Sequence, residues 1–389
     1  MLRVTVADRP EDLLDLLVEG LSAAPADLAP GVFDRDWIGV ANLGMRNWLT
    51  RNLAQRLGAT DGRTDGVVAN LDTQLSGALR WRVLAALRHH DGALSETDDP
   101  WQVPRLTWTL FEMLTQGGEG VHPRLSEVPA GGTLAARAAS LAELFDRYSV
   151  HRPGMVLAWL DGRRVGGDGL ELAPSAEWQF DLFRAVADRV GEQHDGLEPP
   201  AARTQRAVEL LRAGELTMRD HAPTRLPSRL AMFGVAALDP EAGALLDALG
   251  VGRTVDLYLV TPSVPEFRRI VEEVRLLGPS VPAPTVSWSF ARPDAQHPSD
   301  HPILDTWAAR PMDSARMLGA LGLDHSVRAS GPQDGLTLLA RLQTDLHAGR
   351  VGTRPHPLVG ADTSFQVHAA PGLTRQVEVV RDVLLGLLR

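Results

Sequence analysis

The chain contains no lysine: all 39 of its basic residues are arginine, set against 49 aspartates and glutamates. Without lysine there is no phosphate-loop lysine, no Schiff-base nucleophile and no kinase strand lysine, and arginine does not replace the loop lysine as a compact, flexible point charge. Genomes rich in G and C exchange lysine for arginine broadly, and the abundant alanine, glycine, proline and arginine agree with that origin; the chemical exclusion holds under any origin. Cysteine is absent too, which excludes disulfides, thiolate metal sites and cysteine nucleophiles. No apolar run approaches the roughly 18 residues that span a bilayer. The opening MLRVTVADRPEDLLDLL carries acids where a signal peptide carries a basic region and an apolar core, so a cytoplasmic protein without membrane contact is expected. A basic excess is also missing. The net charge of -10 speaks against a general nucleic-acid coat and leaves room for a local arginine-lined groove.

What is present is a chain of 389 residues, 44% hydrophobic and 23% charged, long enough for two or three domains. It starts with alternating strand and helix signals: Leu2–Val6 as a strand, Glu11–Leu21 as a helix, Trp37–Asn42 as a strand and Met45–Leu57 as a helix. In that second helix Met45, Leu49, Leu53 and Leu57 form a stripe that should face a sheet, while Arg46, Asn47 and Arg51 point elsewhere. The whole segment Trp37–Gly58, an apolar strand, a tight turn at Gly44 and an amphipathic helix, is the setting in which a nucleotide-binding α/β domain keeps its phosphate loop. The spacing G-x-x-x-x-G-K-[ST] is not there.

A third short strand is expected at Val67–Leu71, after a Gly- and Asp-rich turn. From about 73 to 225 the pattern turns helical, over 73–90, 103–116, 132–150, 153–161, 174–192 and 202–213. Strand and helix then return, with Leu230–Val235, 239–249 and Thr254–Val260. This is the pattern of a parallel α/β domain interrupted by a helical insertion. Residues 278–302 read as a linker or long surface loop, followed by helices at 303–321 and 335–347 and a Pro/Gly-rich stretch at 351–362. Ser364–Ala369 reads as a strand and Thr374–Leu388 as a helix, the start of a further α/β unit, so a piece of a longer protein is expected.

Other constellations read as structure rather than chemistry. Asp294, His297, Asp300 and His301 sit in a Pro-rich loop that nothing preorganises for a metal. His89, His90 and Asp91 lie at a helix end, where solvated histidine is ordinary, and Gly166-Gly167-Asp168-Gly169 lacks both a preceding strand and dinucleotide spacing, so it reads as a turn. With no HExxH, no GxSxG and no evident pair of carboxylates on one helical face, no catalysis by this chain is expected.

The segment Leu43-Gly44-Met45-Arg46-Asn47-Trp48-Leu49 resembles the GMxxWL segment near the start of the RecC family, the gamma subunits of exodeoxyribonuclease V. Further matches follow in the family's order: Ala69-Asn70-Leu71-Asp72, Leu106-Thr107-Trp108, Leu144-Phe145-Asp146-Arg147-Tyr148, His151-Arg152-Pro153, Glu177-Trp178-Gln179, Leu226-Pro227-Ser228-Arg229 and Phe233-Gly234-Val235-Ala236-Ala237-Leu238. Pro302-Ile303-Leu304 with Trp307, and His368 with Arg375-Gln376-Val377-Glu378-Val379, complete the series. The likeness spans the whole chain and is loosest around 85–130 and 260–300.

The resemblance implies an α/β fold: a degenerate superfamily 1 helicase-like domain, with a RecA-like parallel sheet but no working ATPase motifs, a large helical insertion and the start of a second α/β domain. On that map residues 1–82 and 226–277 form the inactive first RecA-like domain, 83–225 the helical insertion, 278–362 a linker and helical segment, and 363–389 the first strand and helix of a second, truncated domain. The family's subunit holds RecB and RecD motors together, helps split the duplex and passes the 3′ strand through a tunnel where the Chi sequence is recognised. The expected partners are therefore RecB-like and RecD-like subunits with single-stranded and forked double-stranded DNA, and the chain itself needs no cofactor, ATP and Mg being used by the partners. An active P-loop enzyme of the AddB kind is disfavoured, since it would call for a Walker loop near residue 44.

The family's Chi-reading surface carries over where motifs match. Asn47 stands in the place of a Gln, both amides able to pair with a base edge. Leu75 and Trp81 match an apolar residue and a tryptophan, an indole being a natural platform for an unstacked base. Leu144, Asp146 and Arg152 match the Leu-Phe-Asp and Tyr-Arg-Pro positions, and Glu143 stands where the family often has Asp. The family's Phe-Pro-x-Pro run is replaced by Thr73-Gln74-Leu75-Ser76, so the sequence read can differ. Each residue also has a plain structural reading: Trp81, Leu75 and Leu144 as core, Asp146 and Arg152 as a pair or a helix cap. A scaffold that binds partner subunits and never touches DNA is the competing reading of the whole chain.

Overall fold

The computed structural model describes residues 1–22, 35–57, 66–91, 99–116, 132–216, 229–276, 301–331, 335–352 and 362–388. Six strands form one sheet: β1 (Leu2–Ala7), β2 (Asp36–Val40), β3 (Leu71–Leu75), β4 (Arg229–Val235), β5 (Thr254–Val260) and β6 (His325–Arg328). Their spatial order is β3-β2-β4-β5-β1-β6, and every neighbouring pair is parallel. The four strands expected at 2–6, 37–42, 230–235 and 254–260 thus lie side by side in one sheet. β4 and β5 are buried along nearly their whole length, as parallel strands covered on both faces must be.

Fourteen helices accompany the sheet among the described residues. They are α1 (Pro10–Ser22), α2 (Leu43–Leu57), α3 (Ala78–His90), α4 (Val103–Gln116), α5 (Leu134–His151), α6 (Pro153–Leu160) and α7 (Glu177–Gln193). The rest are α8 (Pro200–Ala213), α9 (Pro240–Leu249), α10 (Val264–Leu276), α11 (Pro302–Trp307), α12 (Ala309–Leu321), α13 (Leu338–Ala348) and α14 (Leu373–Leu387). On one face of the sheet, Leu13, Leu14 and Leu17 of α1 and Leu49 and Leu53 of α2 pack with Ile38, Val40, Ala231, Phe233 and Tyr258. On the other, Val83, Val208, Leu246, Val271 and Leu318 of α3, α8, α9, α10 and α12 meet Val6, Trp37, Leu230, Met232 and Leu257.

Between β3 and β4 the chain runs through α3 to α8, and α4 to α7 build a second core of their own. Leu110, Phe145, Trp159, Phe183 and Val186 are its centre. Phe145 and Phe183 meet edge to face at 5.2 Å and Trp159 and Phe183 at 5.6 Å, the arrangement that ring quadrupoles favour.

The differences from the sequence expectations fall at edges and ends. β3 occupies 71–75 rather than 67–71, and the helix expected from 73 begins at Ala78. The strand Leu-Asp-Thr-Gln-Leu has β2 as its single neighbour, so it needs no apolar run, and Val67 and Val68 drew the expectation too far back. β6, on the opposite edge, was not foreseen for the same reason: its burial alternates along His325–Arg328. Helix α10 was also missed, although Phe267, Ile270 and Val271 carry its buried face. The helix expected over 303–321 is broken at Ala308 into α11 and α12, just ahead of Pro311, whose ring and missing N–H do not suit a helix interior. Gly44 is not in a turn: it lies inside the first turn of α2, and Ala41 and Asn42 make the bend. Ser364–Ala369 does not form a strand. An isolated extended segment has no ladder partner among the described residues, and its groups bond locally instead, as Gln366 does to the Thr363 carbonyl. Most of the expected linker at 278–302, most of 351–362 and Leu226–Ser228 lie outside the described residues.

Candidate nucleic-acid interface

Helix α2 leaves the carboxyl end of β2. Asn42 caps it, its Oδ1 accepting from the Met45 N–H at 2.8 Å, which satisfies one of the donors every helix start exposes. The expected apolar stripe faces the sheet: Leu49 and Leu53 are buried, with Met45 and Leu57 packed at its ends. Met45 is seated by Gly234, which adopts φ +65 at a register shift in β4; a Cβ there would stand 2.9 Å from the Met45 methyl. Trp48 stacks on Phe233 at 6.2 Å, so it packs, while Arg46, Asn47 and Arg51 are exposed. Among the described residues none of these three side chains makes a hydrogen bond or ion pair.

Leu75 ends β3 opposite Val40 and is 45% exposed. The Ser76 N–H donates to the Val40 carbonyl at 2.9 Å, and α3 starts two residues later. Leu79, Val83 and Leu87 turn toward the sheet, so Trp81, on another side of the helix, packs half-buried against the second core. The Arg80 guanidinium lies 4.7 Å from the centroid of the Trp81 ring.

Helix α5 brings the remaining candidates. Thr133 caps its start by accepting from the Ala136 N–H. Phe145 and Leu141 are buried, Leu144 and Asp146 half-buried and Glu143 exposed. Asp146 accepts from Arg80 Nη2 at 2.6 Å. Arg152 joins α5 to α6, its N–H donating to the Tyr148 carbonyl, and Pro153 opens α6. The Arg152 side chain is exposed and lies 5.7 Å over the Tyr148 ring, in space left by Gly167, where a Cβ would come within 2.8 Å of Arg152 Cδ. Asp146 and Arg152 therefore do not pair with each other.

The geometry joins Trp81 and Asp146 through Arg80, and it places Leu144, Asp146 and Arg152 along one helix and its end. Leu75 precedes them at the carboxyl edge of the sheet. Asn47 stands apart, on the helix covering the opposite face, although α2 and α3 both start from that same edge, the side where open parallel sheets bind ligands.

Behind these residues lies a network of buried charge that sequence reasoning missed. Arg80 Nη1 faces Glu241 Oε2 at 3.5 Å, too long for a hydrogen bond, and makes no hydrogen bond among the described residues. Glu241 accepts from Thr204 Oγ1. Burial pushes its carboxyl up to about 7, with Arg80 pulling the other way, and burial also raises Asp239, the cap of α9. Nearby, Arg203 holds Asp99 with two hydrogen bonds of 2.7 and 3.2 Å, both side chains 4% exposed. The one signal for this network in the sequence was the row of arginines on α3, at 80, 82 and 88, flanking an otherwise apolar helix.

The described members of the other constellations bond locally. His301 caps α11, its Nδ1 accepting from the Ile303 N–H at 3.3 Å, while Asp294, His297 and Asp300 lie outside the described residues. No group of His, Cys, Asp or Glu able to hold a metal occurs among the described residues. Asp91 is held by Arg206, and Gly166–Gly169 closes a turn inside the bridge between Val165 and Glu171. No described helix is long and apolar enough to cross a membrane.

The comparison with known proteins is decisive about ancestry. The model of the RecC N-terminal domain matches residues 2–348. This chain belongs to the RecC family. Curated relatives named RecBCD enzyme subunit RecC include one from Mycobacterium tuberculosis, 32% identical over 96% of this chain and 32% of the relative. Another, from Mycolicibacterium smegmatis, is 28% identical over 96% of this chain and 31% of the relative, and that of Escherichia coli is 24% identical over 100% of this chain and 35% of the relative. The chain therefore spans about a third of the length of the curated RecC relatives it matches.

Proposed function

We propose that this chain is the N-terminal part of a noncatalytic subunit of an ATP-dependent helicase–nuclease complex acting in double-strand break repair and recombination. Its residues guide the unwound 3′ single strand and help to recognise the Chi sequence. The match to the RecC N-terminal domain over residues 2–348 carries this reading. The missing lysine removes ATPase chemistry from the chain itself, so ATP and Mg belong to RecB-like and RecD-like partner subunits in the cytoplasm. On this reading the sheet with its helices is a degenerate helicase-like domain over 1–82 and 226–277, 83–225 is its helical insertion, 278–362 a linker and helical segment, and 363–389 begins a second domain. Asn47, Leu75, Trp81, Leu144, Asp146 and Arg152 make up the strand-contacting surface. Exposed Asn47 and Arg152 support contact best, an amide for a base edge and a guanidinium for phosphate or guanine.

A second reading has its own support. Trp81 is half-buried and Asp146 is engaged by Arg80, which suits a scaffold that binds motor and nuclease subunits without touching DNA. The two are separated in the complete subunit assembled with its partners, carrying Asn47→Ala, Trp81→Ala or Arg152→Ala. Cutting at the recognition sequence is measured relative to the same variant's unwinding of DNA that lacks it. A fall in that ratio is expected for each variant; an unchanged ratio in all three leaves the scaffold reading standing.

A further inference from the structure

Arg80 is placed unlike any other charged residue near the candidate surface. Its side chain is 10% exposed, it precedes Trp81 on α3, and it makes three contacts at once, two of them to other helices. One nitrogen donates to Asp146 of α5 at 2.6 Å. A second faces Glu241 of α9 at 3.5 Å. The guanidinium plane sits 4.7 Å from the Trp81 ring centroid. A rigid planar fork can do all three together, where an ammonium on a flexible stem cannot.

We infer that Arg80 is a positioning residue for strand recognition, orienting the Trp81 indole and neutralising the Asp146 carboxylate so that both can meet a single strand. This rests on the strand-contacting reading above. Two physical reasons carry it. A carboxylate beside a strand that bears one negative charge per nucleotide is repelled unless a cation lies within a few ångströms. Asp146 has such a cation on one oxygen and keeps the other as an acceptor for a base amino group, the role carboxylates play toward cytosine. The Trp81 indole packs half-buried against the second core, and a guanidinium over its ring narrows further the side-chain torsions which that packing leaves open. Arg80 itself is too buried to take part in the contact. Glu241 and Thr204 back it from behind: Glu241 Oε2 lies 3.5 Å from Arg80 Nη1, and Glu241 Oε1 accepts a hydrogen bond from Thr204.

The test uses the complete subunit assembled with its motor partners, and reads cutting at the recognition sequence divided by the same variant's unwinding of DNA lacking it. The variants are Trp81→Ala, Asp146→Asn, Arg80→Met and Arg80→Lys. Arg80→Met is expected to lower the ratio about tenfold, the size of one charge-assisted hydrogen bond, as far as Trp81→Ala does. Arg80→Lys should recover part of the loss, because charge returns without the plane. A merely structural arginine would lower unwinding and cutting together and leave the ratio untouched. If Trp81→Ala and Asp146→Asn lower the ratio and Arg80→Met does not, the positioning role is overturned while the surface stands. If neither Trp81→Ala nor Asp146→Asn lowers it, the surface falls and the positioning role with it. Should Arg80→Met fail to assemble, Arg80→Lys decides: a full parental ratio overturns the role and a reduced one supports it.

Discussion

Two regions carry the candidate contacts, and they are built in opposite ways. The outer face of α2 presents Arg46, Asn47 and Arg51 to solvent from a helix whose other side is anchored by Leu49 and Leu53. None of those three side chains has a hydrogen-bond or ion-pair partner among the described residues. Where α3, α5, α8 and α9 meet, Arg80, Asp146, Thr204 and Glu241 hold one another, with Asp99 and Arg203 close by on the same helical layer. There the candidate side chains also hold helices to one another. The candidate side chains are separable from the fold's stability on α2 and entangled with it at the junction.

The sharpest way to break that contrast is to leave a buried charge alone. Asp99→Asn strips Arg203, 4% exposed, of its counter-ion, and urea unfolding of the chain should show a loss of about 3–5 kcal/mol. A loss no larger than that of a surface substitution would mean that the junction is not held by its charges.

A smaller effect concerns pH. Burial raises the Glu241 carboxyl from 4.5 to about 7, so the folded state prefers the protonated acid more than the unfolded chain does. Its stabilising contribution is then complete below about 4.5 and is lost as pH rises through about 7, a change on the order of 3 kcal/mol at most. Denaturant titrations from about pH 5 to about pH 8 should show this decline in the parent and a flatter profile in Glu241→Gln. Equal slopes in the two proteins would remove Glu241 as the cause.

The smallest effect belongs to the other region. Asn47→Ala and Arg51→Ala should unfold within about 0.5 kcal/mol of the parent, as exposed side chains without partners do. A larger drop for either would show that α2 carries structural load on its outer face and would erase the contrast.

The amino-acid pattern made much of the fold legible. β4 is a continuous apolar run and β5 is one interrupted by Asp256, the signature of strands buried on both faces, and both match the expected bounds nearly to the residue. The helices α4 to α7 carry 3.6-residue periodicity and were placed within a few residues of their ends. β3 and β6 were misplaced or missed because edge strands, paired on one side, lack the apolar run that reading relies on. Of the candidate surface, the exposed face of α2 was legible because Met45, Leu49, Leu53 and Leu57 define the buried side, and Asn47 lies off it. The contacts of Trp81 and Asp146 were not, since they come from residues distant in sequence or from side-chain packing.

By itself the sequence determined that no lysine- or cysteine-dependent chemistry comes from these 389 residues and which segments become helix or buried strand, because composition and periodicity are local properties of the chain. Its motifs also pointed to the RecC family. Only the tertiary structure decided that Arg80 binds Asp146, 66 residues away, rather than Asp146 binding Arg152 at the end of its own helix. The physical reason is that a buried guanidinium must find counter-charge wherever folding puts it within about 4 Å. Which carboxylate lies there is set by how α3, α5 and α9 pack, a matter of long-range geometry that no spacing along the chain records.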